Sequence, residues 1–98
     1  YNGDLHVIDA EGKNILPGFI DIHIHGGYGV DAMDASFDGL KYVFESSLSE
    51  GTTTYLANTM TQTVENINPD LENRVEYLKF QDKENAAEVA GVHLEGPF

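Results

Sequence analysis

Phe19-Ile20-Asp21-Ile22-His23-Ile24-His25 is the stretch that decides how this chain is read. Alternate residues of a strand point to opposite faces. Ile20, Ile22 and Ile24 therefore share one side, and Phe19, Asp21, His23 and His25 the other. The isoleucine face implies burial. An opposite face carrying an aspartate and two histidines is not that of an ordinary amphipathic strand and needs a chemical explanation. Pro17-Gly18 breaks the chain before this strand, and the glycine loop Gly26-Gly27-Tyr28-Gly29 follows it.

Downstream, Ser36 is placed to cap a helix, with Asp38 in the first turn favouring its dipole. Phe37, Leu40, Val43, Phe44 and Leu48 recur at helical spacing, and Gly51 stands where the chain would leave the helix. Residues 52–60, rich in threonine around Tyr55 and Leu56, predict a strand. Asn68-Pro69-Asp70 predicts a helix start with proline at the first helical position. Leu71, Val75 and Leu78 then mark one face to about Gln81, and residues 82–85 form its solvated end. Residues 89–94 are a third apolar strand, leading into Glu95-Gly96-Pro97-Phe98. Upstream, residues 5–9 and 14–16 read as two short strands around a turn at residues 10–13, where Gly12 can take a positive φ.

From Phe19 the order is strand, helix, strand, helix, strand. That alternation defines an α/β fold of parallel strands joined by helical crossovers. A complete eight-fold barrel takes about 250 residues, so 98 residues can hold only its first part. There is no internal repeat beyond this alternation and no low-complexity tract.

Composition narrows the function. Seventeen acidic residues against five basic ones argue against nucleic acid, whose phosphates would be repelled. No apolar run approaches the roughly 20 residues that span a bilayer. The first residues lack the basic and apolar regions of a signal peptide. They also lack an initiating Met, as a fragment or a processed chain would. Without cysteine, disulfides and thiolate metal sites are excluded, which fits a reducing, cytoplasmic setting.

Two signals carry chemistry. His23 and His25, at i and i+2 on a strand, project to one side and can share a divalent ion through imidazole nitrogens. Alone, such a pair is often a surface accident. Its position at the end of an apolar strand, directly before a glycine loop, is the catalytic face of a parallel α/β barrel. Glu95 likewise follows an apolar strand directly, so its carboxylate would be a third ligand at the same end. An isolated glutamate in a solvated loop is the plainer alternative.

Leu16-Pro17-Gly18-Phe19-Ile20-Asp21-Ile22-His23-Ile24-His25 resembles the first barrel strand of the amidohydrolase superfamily. Residues 7–13 resemble the lead-in from that superfamily's small β domain. Residues 25–34, 50–57 and Val92-His93-Leu94-Glu95-Gly96-Pro97-Phe98 are similar to its N-acetylglucosamine 6-phosphate deacetylase family. The resemblance implies that residues 1–17 end a small β-sandwich domain. Residues 18–98 would then be the first βα units of a TIM-like (β/α)8 barrel.

It further implies that His23, His25 and Glu95 are metal ligands for one or two divalent ions, whether zinc, iron, manganese, cobalt or nickel. The catalytic aspartate and the phosphate-gripping residues would lie beyond residue 98. The implied reaction removes acetate from N-acetylglucosamine 6-phosphate, a phosphorylated amino sugar, in an enzyme expected to be a homodimer at full length. Dihydroorotases and hydantoinases share the His-x-His pair but complete their site with a modified lysine, and a non-catalytic scaffold is the rival from outside enzymology.

The other polar residues read more plainly. Asp21 is expected to make structural hydrogen bonds. His93 would orient Glu95, line the pocket or sit satisfied in the core, and His6 is structural. Tyr28 and Met33 border the site or pack the loop. Lys13 and Lys41 show no phosphate-binding pattern, so phosphate contacts are expected from other chain or a partner subunit.

Overall fold

In the computed structural model, which describes residues 3–33 and 36–96, the isoleucine-rich stretch becomes strand β1 (Phe19–Ile24). A small antiparallel ribbon follows, made of β2 (Gly26–Gly27) and β3 (Val30–Asp31). Helix α1 (Phe37–Ser47) runs into a single 3-10 turn at Leu48–Glu50. Strand β4 (Thr52–Asn58), helix α2 (Val64–Phe80) and strand β5 (Glu88–His93) complete the order. β1, β4 and β5 form one parallel sheet in that order, with a helix in each crossover, as parallel pairing requires.

The helix start at Ser36 is as expected: its hydroxyl accepts the Gly39 N–H at 3.3 Å. Gly51 leaves the 3-10 turn in the left-handed region at φ 85°, which favours glycine. The core lies between the sheet and the helices. Leu40, Val43 and Phe44 of α1 and Tyr77 of α2 close over Tyr55 and Ala57 of β4 and Val89 of β5. Phe44 stands between Tyr55 and Tyr77, with ring centroids 5.2 and 5.3 Å away, a favoured spacing for tilted aromatic pairs.

Three sequence expectations are corrected. Residues 5–9 and 14–16 are not strands, although the turn between them forms, with Lys13 N–H bonded to the Ala10 carbonyl at 2.8 Å. Val7, Ile8, Ile15 and Leu16 are 59–84% exposed. No sheet among the described residues gives these segments a neighbour, and two short strands alone are not stable in water. Helix α2 begins at Val64 rather than at Pro69, which therefore lies inside it. The Thr63 carbonyl starts the helix by accepting the N–H groups of Asn66 and Ile67. Proline forfeits one bond here, to the carbonyl of solvent-exposed Glu65. Finally, the isoleucine face is only partly covered. Ile24 packs against the core, but Ile20 and Ile22 are 67% and 60% exposed, because the helices close over β4 and β1 is an edge strand.

Asp70 and Arg74 form a buried ion pair one helical turn apart, with Nε donating to Oδ2 at 2.7 Å. Burial raises the Asp70 carboxyl above its ordinary range, against the opposing pull of Arg74. Removing one partner strands a buried charge. Asp70→Ala should therefore cost about 3–5 kcal/mol, and the paired change Asp70→Leu with Arg74→Met should recover most of it, as read by urea unfolding. Burial also pushes the Tyr77 phenol up to about 12 from its ordinary 10.0. The unfolded chain would ionise first, so stability should be intact below pH 10 and fall between pH 10 and about 12. Tyr77→Phe should shrink that alkaline loss.

Candidate metal centre

The ladder between β1 and β4 is irregular from Asp21 to Ile24, and side chains take over its hydrogen bonding. Asp21 Oδ1 accepts the His23 N–H at 2.9 Å, and Asn58 Oδ1, from the end of β4, accepts the Ile24 N–H at 3.1 Å. The chain turns away immediately after His25, whose carbonyl accepts the Ala32 N–H at 2.9 Å. That turn demands glycine. Gly26 has φ 135°, and a Cβ there would lie 2.2 Å from the Val30 carbonyl oxygen. Both histidines are thus presented by backbone held from three directions.

Glu95 arrives from the other side of β4. Thr59 N–H extends the β4–β5 pairing by donating to the His93 carbonyl at 3.1 Å. The Glu95 N–H then donates to Thr59 Oγ1 at 3.0 Å. Gly96 follows at φ 81°, pressed so closely on Thr61 that a Cβ would meet its Oγ1 at 2.8 Å.

These two routes bring the predicted residues together. The Nε2 atoms of His23 and His25 are 3.0 Å apart. Glu95 Oε2 lies 3.3 Å from the first and 3.2 Å from the second. Oε2 and His25 Nδ1 are buried without an aligned hydrogen-bond partner. Bonds of about 2.1 Å from one cation would set its ligand atoms about 3.0 Å apart at right angles and about 3.4 Å apart in a tetrahedron. The observed spacing falls within that interval. Two imidazoles and one carboxylate are also a donor set that divalent metals accept, so these three residues could hold one.

Of the other polar residues, Asp21 has the structural role expected of it, holding the His23 N–H. His93 is exposed rather than a core histidine. Its Nδ1 lies 3.2 Å from the Ile22 carbonyl on β1, and its ring meets that of His23 edge-on at 5.7 Å. It braces β1 across the intervening strand. Tyr28 is at the tip of the β2–β3 ribbon with φ 55°, packed edge-on against Tyr42 of α1. Met33 packs with its sulfur 3.5 Å from the Met60 N–H. His6 lies in the exposed lead-in. Asp34, Pro97 and Phe98 of the quoted motifs lie outside the described residues. The sequence reading missed Asn58 and Thr59. Their signal was positional: polar residues closing the middle strand at the same end as His25 and Glu95.

The sequence profile described as the amidohydrolase family matches residues 14–98. The chain belongs to the amidohydrolase family. This amidohydrolase segment is 51% identical over 85 residues to the N-acetylglucosamine-6-phosphate deacetylase of Bacillus subtilis (strain 168), an alignment covering 86% of this chain and 22% of that protein. It is 46% identical over 91 residues to the enzyme of the same name from Lysinibacillus sphaericus, covering 93% and 23%. The crystal structure of N-acetylglucosamine-6-phosphate deacetylase from Pasteurella multocida superimposes on all of this chain and 25% of its own, with a TM-score of 0.84 and 32% identity. The chain therefore spans about a quarter of the length of the curated relatives it matches.

If the three side chains form one cation site, His25→Ala or Glu95→Gln in the full-length amidohydrolase should weaken zinc binding by more than about 100-fold, beyond the effect of losing an outer partner. Calorimetric titration of the metal-free protein reads this directly, and unchanged affinity in both variants would exclude the site.

Proposed function

We propose that residues 18–98 are the opening βα units of a TIM-like (β/α)8 hydrolase barrel, and that residues 1–17 lead into it from a small β domain. His23, His25 and Glu95 hold one or two divalent ions in it. The activity is hydrolysis of the N-acetyl amide of N-acetylglucosamine 6-phosphate to glucosamine 6-phosphate and acetate. The observation that carries this reading is the meeting of His23, His25 and Glu95 at the C-terminal ends of β1 and β5. That is the end of the strands at which parallel barrels do their chemistry, and the similar proteins named above bear this activity in their names.

A divalent cation supplies two things an amide hydrolase needs at neutral pH, a more acidic water and a polarised carbonyl. The chain's own residues do the holding. Neutral imidazoles offer Nε2 lone pairs, the Glu95 carboxylate supplies negative charge, and the Asp21 and Asn58 contacts fix the backbone between the rings. The aspartate that moves the proton is assigned to chain beyond residue 98.

Phosphate recognition is assigned there too, or to a partner subunit of a homodimer. Lys41, Arg74 and Lys83 are engaged by Glu45, Asp70 and Glu88. The setting is cytoplasmic; among the described residues no helix is long and apolar enough to cross a membrane. The full-length protein should release acetate from N-acetylglucosamine 6-phosphate and lose that activity on chelation, with divalent metal restoring it. Turnover of a cyclic amide such as dihydroorotate in its place would overturn the substrate assignment. Residues 1–98 alone should release no acetate, since β1 is left with an open edge and the site with only part of its ligands.

A further inference from the structure

We infer that Asn58 and Thr59, adjacent at the end of β4, are the positioning residues of the metal site: Asn58 sets the histidine arm and Thr59 the glutamate arm. The inference rests on the reading of His23, His25 and Glu95 as ligands. β4 is the middle strand, and its end reaches both Ile24 on β1 and Glu95 after β5. Asn58 and Thr59 are each 0% exposed. Neither has an ordinary reason to be there, because a buried polar side chain costs stability unless it is bonded.

Their bonds go to the ligand-bearing backbone. Asn58 Oδ1 takes the N–H of Ile24, the residue between the two histidines, at 3.1 Å. It does so at the first paired residue after the irregular stretch of the β1–β4 ladder, between Asp21 and Ile24. Thr59 holds the other arm through two atoms: its N–H on the His93 carbonyl at 3.1 Å and its Oγ1 under the Glu95 N–H at 3.0 Å. Neither residue touches the coordinating atoms. They act by fixing the separation of the two arms, on which the 3.0–3.3 Å spacing of those atoms depends. The Nδ2 of Asn58 is buried without a partner, so this side chain adds little net stability of its own.

The test is cobalt(II) binding to the full-length protein, followed by visible absorption and by competition with a chromophoric chelator, with circular dichroism confirming the fold. Thr59→Val keeps the shape and deletes the acceptor; Thr59→Ser keeps the acceptor. The valine variant should bind cobalt about 10–100-fold more weakly, the range typical of outer partners of metal ligands, and the serine variant should stay within about threefold of wild type. Asn58→Leu should weaken binding comparably. Unchanged affinity in Asn58→Leu overturns the Asn58 half; should that variant fail to fold, Asn58→Ala, which also deletes the acceptor, takes its place and unchanged affinity there overturns it equally. Unchanged affinity in Thr59→Val, or serine as weak as valine, overturns the Thr59 half. A control separates the two levels: if Glu95→Gln leaves cobalt binding untouched, the metal-site reading falls and this inference with it.

Discussion

Parallel hydrogen bonding of β4 to β1 on one side and to β5 on the other is the constraint on which everything else depends. Parallel strands all end at the same edge of their sheet, so residues 70 positions apart in sequence, such as His25 and Glu95, arrive together without any loop having to carry them. The crossover helices are the necessary price of that arrangement, and they also supply the core. Leu40, Val43, Phe44 and Tyr77 cover one face of β4, and the ligand-bearing ends are left at the rim of a buried scaffold. Sites built on strand ends in this way are set by ladder geometry rather than by loop conformation.

The strands and helices that alternate after Phe19 were legible because each carries its own periodicity, and because Ser36 starts α1 and Gly51 ends the 3-10 turn after it with the residue types that caps demand. The three convergent side chains were legible for a related reason: His23, His25 and Glu95 stand at strand ends, and strand ends of a parallel sheet meet. What the sequence did not disclose is where tertiary context overrides local signals. Pro69 reads as a helix start, yet the helix accepts it in its second turn because only a solvated carbonyl goes unpaired. Residues 5–9 and 14–16 have strand composition but no sheet edge to join among the described residues. Asn58 and Thr59 have no motif at all; their bonds reach residues 34 and 36 positions away, and only the folded register shows them.

The electrostatics follow from the same layout. The chain carries a net charge of −12 and five basic residues, of which Lys41, Arg74 and Lys83 are paired with carboxylates, Arg74 in a buried pair with Asp70. A segment of this net charge favours the approach of a divalent cation and opposes that of a phosphorylated sugar. Attraction for the sugar phosphate therefore falls to groups other than these, held close enough to outweigh the field of this segment.

The exposed outer half of β1 has a consequence for biosynthesis. Ile20 and Ile22 face outward on a strand whose far edge is unpaired among the described residues. Until another strand covers that edge, it presents an apolar ladder able to pair with a neighbouring chain. The strand that carries the histidines is thus also one that needs protection while the protein is being made.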